Sequence, residues 1–323
     1  MLKRPTLVML RRFATSPPDT KIERESQSAL PLRMWRAKWL YLALLIPVAM
    51  LLVFEWLPAF SALYNSLYIW NGGKVHFYVG LEHYERMLSD RTFRVAITNL
   101  LGFVFFRVIM QTVLPFFAAE MIINLRSARW SYWWKIIFVF PMVVPTILNY
   151  LIWRFIYNPQ VGLLNEGLKL IGLEQYAQAW LGDPNTVMWA LAFVRFPWLP
   201  TLQFLIILGG LQTIPQEVHE SAAIDGAGFW RRLFYIDIPM TKRQITLAMI
   251  LTMLFMTQRF DLFLVMTDGG PGYSSMVPAL QLYQSAFHFL EFGYASAIGV
   301  VLFVAMLALT VVNLRVSAGA TTG

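Results

Sequence analysis

The chain has 323 residues, of which 58% are hydrophobic and only 14% charged, against roughly 25% charged in a soluble domain. A soluble fold of this length has too little interior to hide that much apolar surface, so lipid is the expected solvent for much of it. There is no cysteine, which excludes disulfides, thiolate metal sites and cysteine nucleophiles. The net charge of +8 has the sign for nucleic acid, but its distribution follows membrane orientation instead, and no nucleic-acid partner is expected.

Residues 1–38 form a tail rich in Pro, Ser and charge. The run Thr6 to Leu10, between Lys3, Arg4 and Arg11, Arg12, is too short for the core of a secretory signal, so the first long apolar run is expected to be retained. A bilayer-spanning helix needs about 20 mostly apolar residues. Residues 39–60 meet that requirement first, and residues 93–315 hold five further candidates. These are 93–114 (continuing as helix to Asn124), 134–157, 186–211, 245–266 and 294–314. Pro141 and Pro145 predict a kink or break in the third of the six.

Orientation follows from Lys and Arg. The tail carries Lys21, Arg24, Arg33, Arg36 and Lys38 besides the four basic residues already named. Arg126, Arg129 and Lys135 follow the second span, Arg231, Arg232, Lys242 and Arg243 the fourth, and Arg315 the sixth. The alternate loops are poorer, with Lys74, Arg86 and Arg91 in the first and Lys169 in the second. Both termini are therefore expected in the cytoplasm, together with the loop between the fourth and fifth spans. On the other side, Asn158 to Leu173 reads as a turn and a short interfacial helix, and Asp268-Gly269-Gly270-Pro271-Gly272 as a tight turn.

The loop at residues 213–240 interrupts two long apolar runs with a specific polar pattern. Glu220-Ser221-Ala222 is followed by Gly226 and closed by Ile236-Asp237-Ile238-Pro239. Ser221, Ala222, Ala223, Gly226 and Ala227 are small enough for another surface to approach closely. Glu217, Glu220 and Asp225 supply charge, and Phe229 is a large apolar group in a loop that otherwise faces water. By composition the segment suits either a helix that plugs a partner's groove or one lying on lipid headgroups.

The spacing resembles the coupling loop of permease subunits in binding-protein-dependent ABC importers, whose pattern is Glu-Ala-Ala, three residues, Gly, nine residues, Ile, one residue, Leu-Pro. Ser221 replaces the first Ala and Ile238 the Leu. The Gly269-Gly270-Pro271 turn and the stretch Ala286-Phe287 to Gly293-Tyr294-Ala295-Ser296-Ala297 resemble the carbohydrate-importing group of that family, which includes the maltose and glycerol-phosphate systems. The resemblance implies an all-α integral membrane protein with six transmembrane helices and the type I ABC importer permease fold. It further implies a bacterial inner membrane location and a second, different permease as partner. The other expected partners are two ATP-binding subunits, a periplasmic solute-binding protein, an oligosaccharide and membrane lipid. ATP and Mg would be bound by the ATPase subunit, with no cofactor or metal in this chain. Glu217, Glu220, Ser221, Ala222, Ala223, Asp225, Gly226, Ala227 and Phe229 would dock into that subunit.

Ionisable groups in apolar spans are costly, by about 2.5 kcal/mol or more at the centre, so they usually face a cavity or a partner. Arg107, Arg154, Arg195 and Arg259 lie in or near four different spans, with Asp261 as the one good carboxylate among them. Each alone suits an ion pair or a snorkelling side chain as well as a substrate contact; together they tilt the reading towards an anionic passenger such as a uronate oligomer of the alginate kind. Trp133, Trp134, Trp153, Tyr157, Trp189 and Trp198 suit an interfacial aromatic belt. Tyr150, Trp198, Phe255 and Phe260 are candidates for stacking on sugar rings. Catalytic patterns fail: His219-Glu220 begins a zinc-protease motif that Ala223 breaks, and Gly162 to Gly167 is followed by Leu168 in place of the phosphate-loop Lys. The alternative from another class is an ion-gradient-driven secondary transporter. It needs mid-membrane carboxylates and related halves, and the sequence offers only Asp261 and no clear half-repeat.

Reporter fusions test the topology. Fusions after Gln160 and Tyr273 should report the periplasm and one after Gly228 the cytoplasm; a periplasmic signal at Gly228 would remove the coupling-loop reading.

Overall fold

A computed structural model of the chain describes residues 38–319. Residues 1–37, nearly all of the predicted cytoplasmic tail, lie outside the described residues. The chain divides into two compact units, Met1–Ser61 and Ala62–Gly323. The described part of the first belongs to helix α1 (Lys38–Asn65), which has 28 residues and an apolar stretch with none of its residues buried. At 1.5 Å per residue it is about 42 Å long, enough to cross a hydrocarbon core of about 30 Å with residues to spare.

The second unit opens with a hairpin, β1 (Tyr68–Trp70) and β2 (His76–Tyr78), paired antiparallel with Tyr68 opposite Tyr78. Helix α2 (Glu82–Ser89) leads into α3 (Arg91–Ile123), a 33-residue helix that matches the second predicted span and its extension. The third predicted span is bent as its prolines require. Helix α4 (Ala128–Val139) passes through a 3₁₀ turn at Phe140–Val143 into α5 (Thr146–Ile156), and the two halves meet at 93°. The short interfacial helix is present as α6 (Leu163–Leu170).

The predicted fourth and fifth spans are not continuous. The fourth is α7 (Val187–Phe193) and α8 (Thr201–Leu211), separated by a stretch in which Arg195 has φ 74°. Pro197 and Pro200 remove two backbone donors within four residues there, which favours a break over a continuous helix. Helix α9 (Gln216–Ile224) and α10 (Phe229–Arg232) follow, and α10 continues through a π turn at Leu233–Asp237. The fifth span is α11 (Lys242–Gln258) and α12 (Asp261–Met266), broken at Arg259 and Phe260. Helices α13 (Pro278–Phe287) and α14 (Phe292–Gly319) complete the unit. Among the described residues, three helices are long and apolar enough to cross a membrane alone, and the bent α4–α5 pair makes four. The expected count of six spans is thus not reached by intact helices among the described residues; the fourth and fifth, expected as single runs, are broken.

Two apolar cores hold these pieces together. One gathers Phe103, Tyr150, Leu191, Phe263, Leu280 and Ile298; the other gathers Phe116, Ile122, Phe204, Ile207, Leu211 and Leu233. Helix α3 contributes to both, so it is the strut along which they align. A buried hydrogen bond from Gln203 Nε2 to Thr252 Oγ1, 3.0 Å, ties α8 to α11.

The start of α3 is fixed by Asp90. Its carboxylate accepts from Thr92 N at 2.8 Å, from Gln281 Nε2 at 2.8 Å and from the Tyr294 hydroxyl at 3.0 Å. One side chain thus caps α3 and pins it to α13 and α14. Burial pushes the Asp90 carboxyl up, but the backbone N–H groups of Thr92 and Phe93 and the Tyr294 and Gln281 donors outweigh it, and the pKa lies below its ordinary value. Because the folded pKa is depressed, the contribution is complete above the unfolded carboxylate value, about 3.9, and is lost as pH falls through the folded pKa. Asp90→Asn should lower thermal stability in detergent by about 1 kcal/mol. The difference between the variant and the parent should shrink as pH drops below the carboxylate range; a pH-independent difference in melting would refute the assignment.

Candidate functional site

The breaks in α7–α8 and α11–α12 face α3 across a cavity of about 260 Å³. Arg107, Gln111, Arg195, Trp198, Gln203, Phe255 and Arg259 line it, with apolar residues of all three helical regions between them. A helix end in an apolar setting leaves carbonyls that must find donors. Arg107 supplies them. Its Nη1 donates to the carbonyls of Ala192 at 3.0 Å and Val194 at 3.3 Å, at the end of α7. With its amide turned to the orientation that satisfies both groups, the oxygen of Gln111, one turn further along α3, accepts from Arg107 Nη2 at 2.9 Å and Nε at 3.0 Å. Arg107 therefore borders the cavity with its guanidinium already committed to the scaffold.

Arg195 and Arg259 are different. Arg195 is half-buried, and its positive φ holds the chain in a conformation unusual for a non-glycine residue. Such strain concentrates at functional positions. Arg259 lies 3.7 Å from Asp261 Oδ1, a loose pair whose other oxygen accepts from the Tyr150 hydroxyl at 3.0 Å. Three guanidinium groups thus border one cavity with Asp261 the near carboxylate. They repel one another, which leaves the cavity positive.

Of the eight predicted substrate-pathway residues, the cavity brings together Arg107, Arg195, Trp198, Phe255 and Arg259. Three are placed elsewhere. Tyr150 is buried in the core and acts through Asp261. Arg154 borders a separate depression with Asp268 and Pro271, where its Nη1 donates to the Val265 carbonyl at 3.4 Å. Phe260 stacks on Tyr283 with ring centroids 5.2 Å apart. Gln111 and Gln203 were not singled out in the sequence; a glutamine within an apolar run was the available signal.

The loop expected to dock is a helix–turn–helix. Glu217, Ser221, Asp225 and Ala227 border a shallow depression of about 460 Å³ together with the buried Ala222, and Arg231 and Tyr235 close it. Glu220 accepts from Gln216 Nε2 at 2.7 Å, and Ala223 lies exposed beside it. Gly226 has φ 72°, which ends α9, and a side chain there would meet open space. Phe229 packs on Trp230 with centroids 5.2 Å apart, and Trp230 stacks on Phe234. Ile224 is 87% exposed and Tyr235 79% exposed. These two large side chains were missed because the motif does not include them. Their exposure beside the depression marks a surface with an unfilled apolar demand.

These features match known proteins. The profile of the family described as binding-protein-dependent transport system inner membrane component matches residues 111–318. The chain is 33% identical over 273 residues to a probable ABC transporter permease protein, YurN, of Bacillus subtilis, covering 84% of this chain and 93% of that one. It is 32% identical over 290 residues to the trehalose/maltose transport system permease protein MalF of Thermococcus litoralis, covering 88% and 95%. It is 30% identical over 313 residues to the sulfoquinovosyl glycerol transport system permease protein SmoG of Agrobacterium fabrum, covering 93% and 98%. A solved bacterial ABC transporter involved in the import of the acidic polysaccharide alginate has the same fold, with TM-score 0.79 at 19% identity, covering 91% of this chain and 99% of that one. The chain belongs to the family of inner membrane components of binding-protein-dependent transport systems. It is a multi-pass permease, a transport subunit, and the ion-gradient alternative falls with that membership.

The loop geometry sets a test. Gly226→Asp adds a β-carbon where φ is positive, at a cost of about 1–2 kcal/mol, and puts a charge in the loop expected to dock. Glu220→Lys reverses a charge in the same loop. Each should abolish ATP-driven transport by the reconstituted complex while expression stays at the parent level. Normal transport by either variant would show that this loop is not the mechanical joint.

Proposed function

We propose that this chain is one of two different permease subunits of a bacterial inner-membrane ABC importer for an acidic oligosaccharide. In this reading a periplasmic solute-binding protein delivers the sugar, and two ATPase subunits, which bind ATP and Mg, dock on the loop at 213–240. Closure of the ATPases moves the loop and switches the cavity between the two sides of the membrane, an alternating-access cycle biased at both ends.

The observation that carries the cargo class is the cavity's charge. Arg195 and Arg259 project into a space whose near carboxylate, Asp261, is already held by Tyr150. A guanidinium pairs a carboxylate or sulfonate through two parallel hydrogen bonds. Trp198 and Phe255, both exposed and lining the same cavity, offer flat faces to a pyranose ring. The name of the Agrobacterium relative, a sulfoquinovosyl glycerol system, and the alginate-importing structural neighbour support an anionic sugar. The trehalose/maltose relative supports the carbohydrate class alone.

Uptake into proteoliposomes containing the complex tests this. An oligouronate should be taken up in preference to its neutral, carboxyl-reduced analogue. Arg195→Gln and Arg259→Gln should each cut acidic uptake at least about tenfold, the effect of losing one charge-assisted contact of about 1.5–3 kcal/mol, and should narrow the preference. Preference for the neutral analogue in the parent, or full acidic uptake by both variants, would overturn the proposal.

A further inference from the structure

The cytoplasmic loop contains a second charged cluster that the docking motif does not account for. Asp237, in the π turn after α10, is fully buried, and Glu120, near the end of α3, is 2% exposed. Arg232, the last residue of α10, lies between them. Its Nε donates to Asp237 Oδ2 at 3.0 Å and its Nη2 to Glu120 Oε2 at 3.4 Å. Asn124 Nδ2 donates to the same Glu120 oxygen at 3.1 Å. His219, on α9, places Nδ1 3.8 Å from Asp237 Oδ1. The remaining carboxylate oxygens, Glu120 Oε1 and Asp237 Oδ1, are buried without a hydrogen-bond partner.

Two buried carboxylates sharing one guanidinium are a poor device for stability. Buried ion pairs commonly do no better than apolar residues of the same size, and unsatisfied oxygens cost more. Once built, however, such a cluster resists separation, because removing one partner strands a charge. Apolar contacts also tether the loop here: Leu233 sits in the core with Phe116 and Ile122 of α3. Those contacts are non-directional and allow sliding. The guanidinium fork is planar and directional, so it fixes α10 against α3 in distance and orientation.

Helix α3 then leads to the cavity. From Glu120 to Arg107 is 13 residues of continuous helix, about 20 Å at 1.5 Å per residue. At that far end Arg107, itself steadied by Gln111, donates to the carbonyls where α7 breaks. A displacement of α10 that is passed to Glu120 must shift α3 against α8 and α11, which carry other walls of the cavity.

We propose that Arg232, held between Glu120 and Asp237, is the positioning residue that transmits displacement of the coupling loop to α3 and hence to the cavity. This rests on membership of the permease family and on the loop as the ATPase joint, and is independent of the cargo.

The chain has no cysteine, so two introduced cysteines can be spin-labelled without competition from this subunit. Labels at Phe105 on α3 and Leu205 on α8, both exposed, report the movement of one helix against the other. In the assembled complex in nanodiscs, ATP with vanadate should shift the interlabel distance. Arg232→Lys keeps the charge but lacks the fork, so most of that shift should be lost while vanadate still traps nucleotide on the ATPase subunits. Glu120→Gln should lose the shift too, and the double variant should lose no more than either single one, since the residues act as a unit. Retention of the shift in Arg232→Lys, or losses that accumulate in the double variant, would overturn the proposal. Failure of both single variants to assemble with the ATPase would also overturn it, since the cluster would then serve folding alone. Loss of nucleotide trapping together with the shift would assign the cluster to docking and equally refute transmission.

Discussion

The structure depends on one requirement: in an apolar solvent, the end of a helix must find donors for its last carbonyls. Helix α7 ends at Phe193, inside what the sequence presents as a single apolar run, and Arg107 satisfies the carbonyls of Ala192 and Val194 from 85 residues away. Without that arginine the break would be expensive. With it, the chain between Val194 and Pro200 can leave the helix, turn Arg195 into a positive φ and place Trp198 beside the cavity. The cavity exists because the break is supported. The cost of burying Arg107 is offset by the hydrogen bonds to those carbonyls and to Gln111.

The same helix that supports the break also receives the loop at 213–240. Helix α3 carries Asp90 at one end, Arg107 and Gln111 in the middle and Glu120 near the other end, and each of these reaches a different partner region. Such an arrangement concentrates mechanical consequence on one element. A movement delivered to Glu120 reaches the element that carries Arg107, because α3 is one continuous helix between the two. The exposed Leu205 of α8, Leu247 and Met249 of α11, and Phe303, Val304 and Leu307 of α14 are by contrast apolar and suit lipid or a second membrane subunit.

How much of this was legible in the sequence follows a physical line. The apolar runs, the bend at Pro141 and Pro145, the interfacial helix at 163–170 and the Gly269–Gly272 turn were readable, because each is a local property of consecutive residues. The loop at 213–240 stood out because its small residues and closing proline fall at a spacing that the permease family shares. The break at Arg259 was marked only by a charge pair, and Gln258 to Asp261 contains no proline or glycine to announce it. The role of Arg107 was hidden for a stronger reason: its acceptors are backbone carbonyls, which have no signature in the sequence. Glu120 did carry a signal, a carboxylate between Ala119 and Met121 in an apolar stretch, but its partners Arg232 and Asp237 lie in a loop where charges seem ordinary.

The distribution of work among the arginines also bears on how the proposed anionic cargo would be held and still released. A fully buried, unpaired guanidinium would bind a carboxylate too tightly and cost too much when empty. Arg107 avoids both by spending its donors on the scaffold. Arg195 and Arg259 remain half-buried, so under that proposal water would replace the cargo when it leaves. Asp261, 3.7 Å from Arg259, lowers the positive field without closing on it, and Tyr150 keeps Asp261 from approaching further by occupying its other oxygen. On the proposed reading, attraction in the cavity would be graded: enough to select a charge, and weakened by hydration and a restrained counter-ion. That grading is what passage requires, because a ligand must enter from one side and be given up on the other.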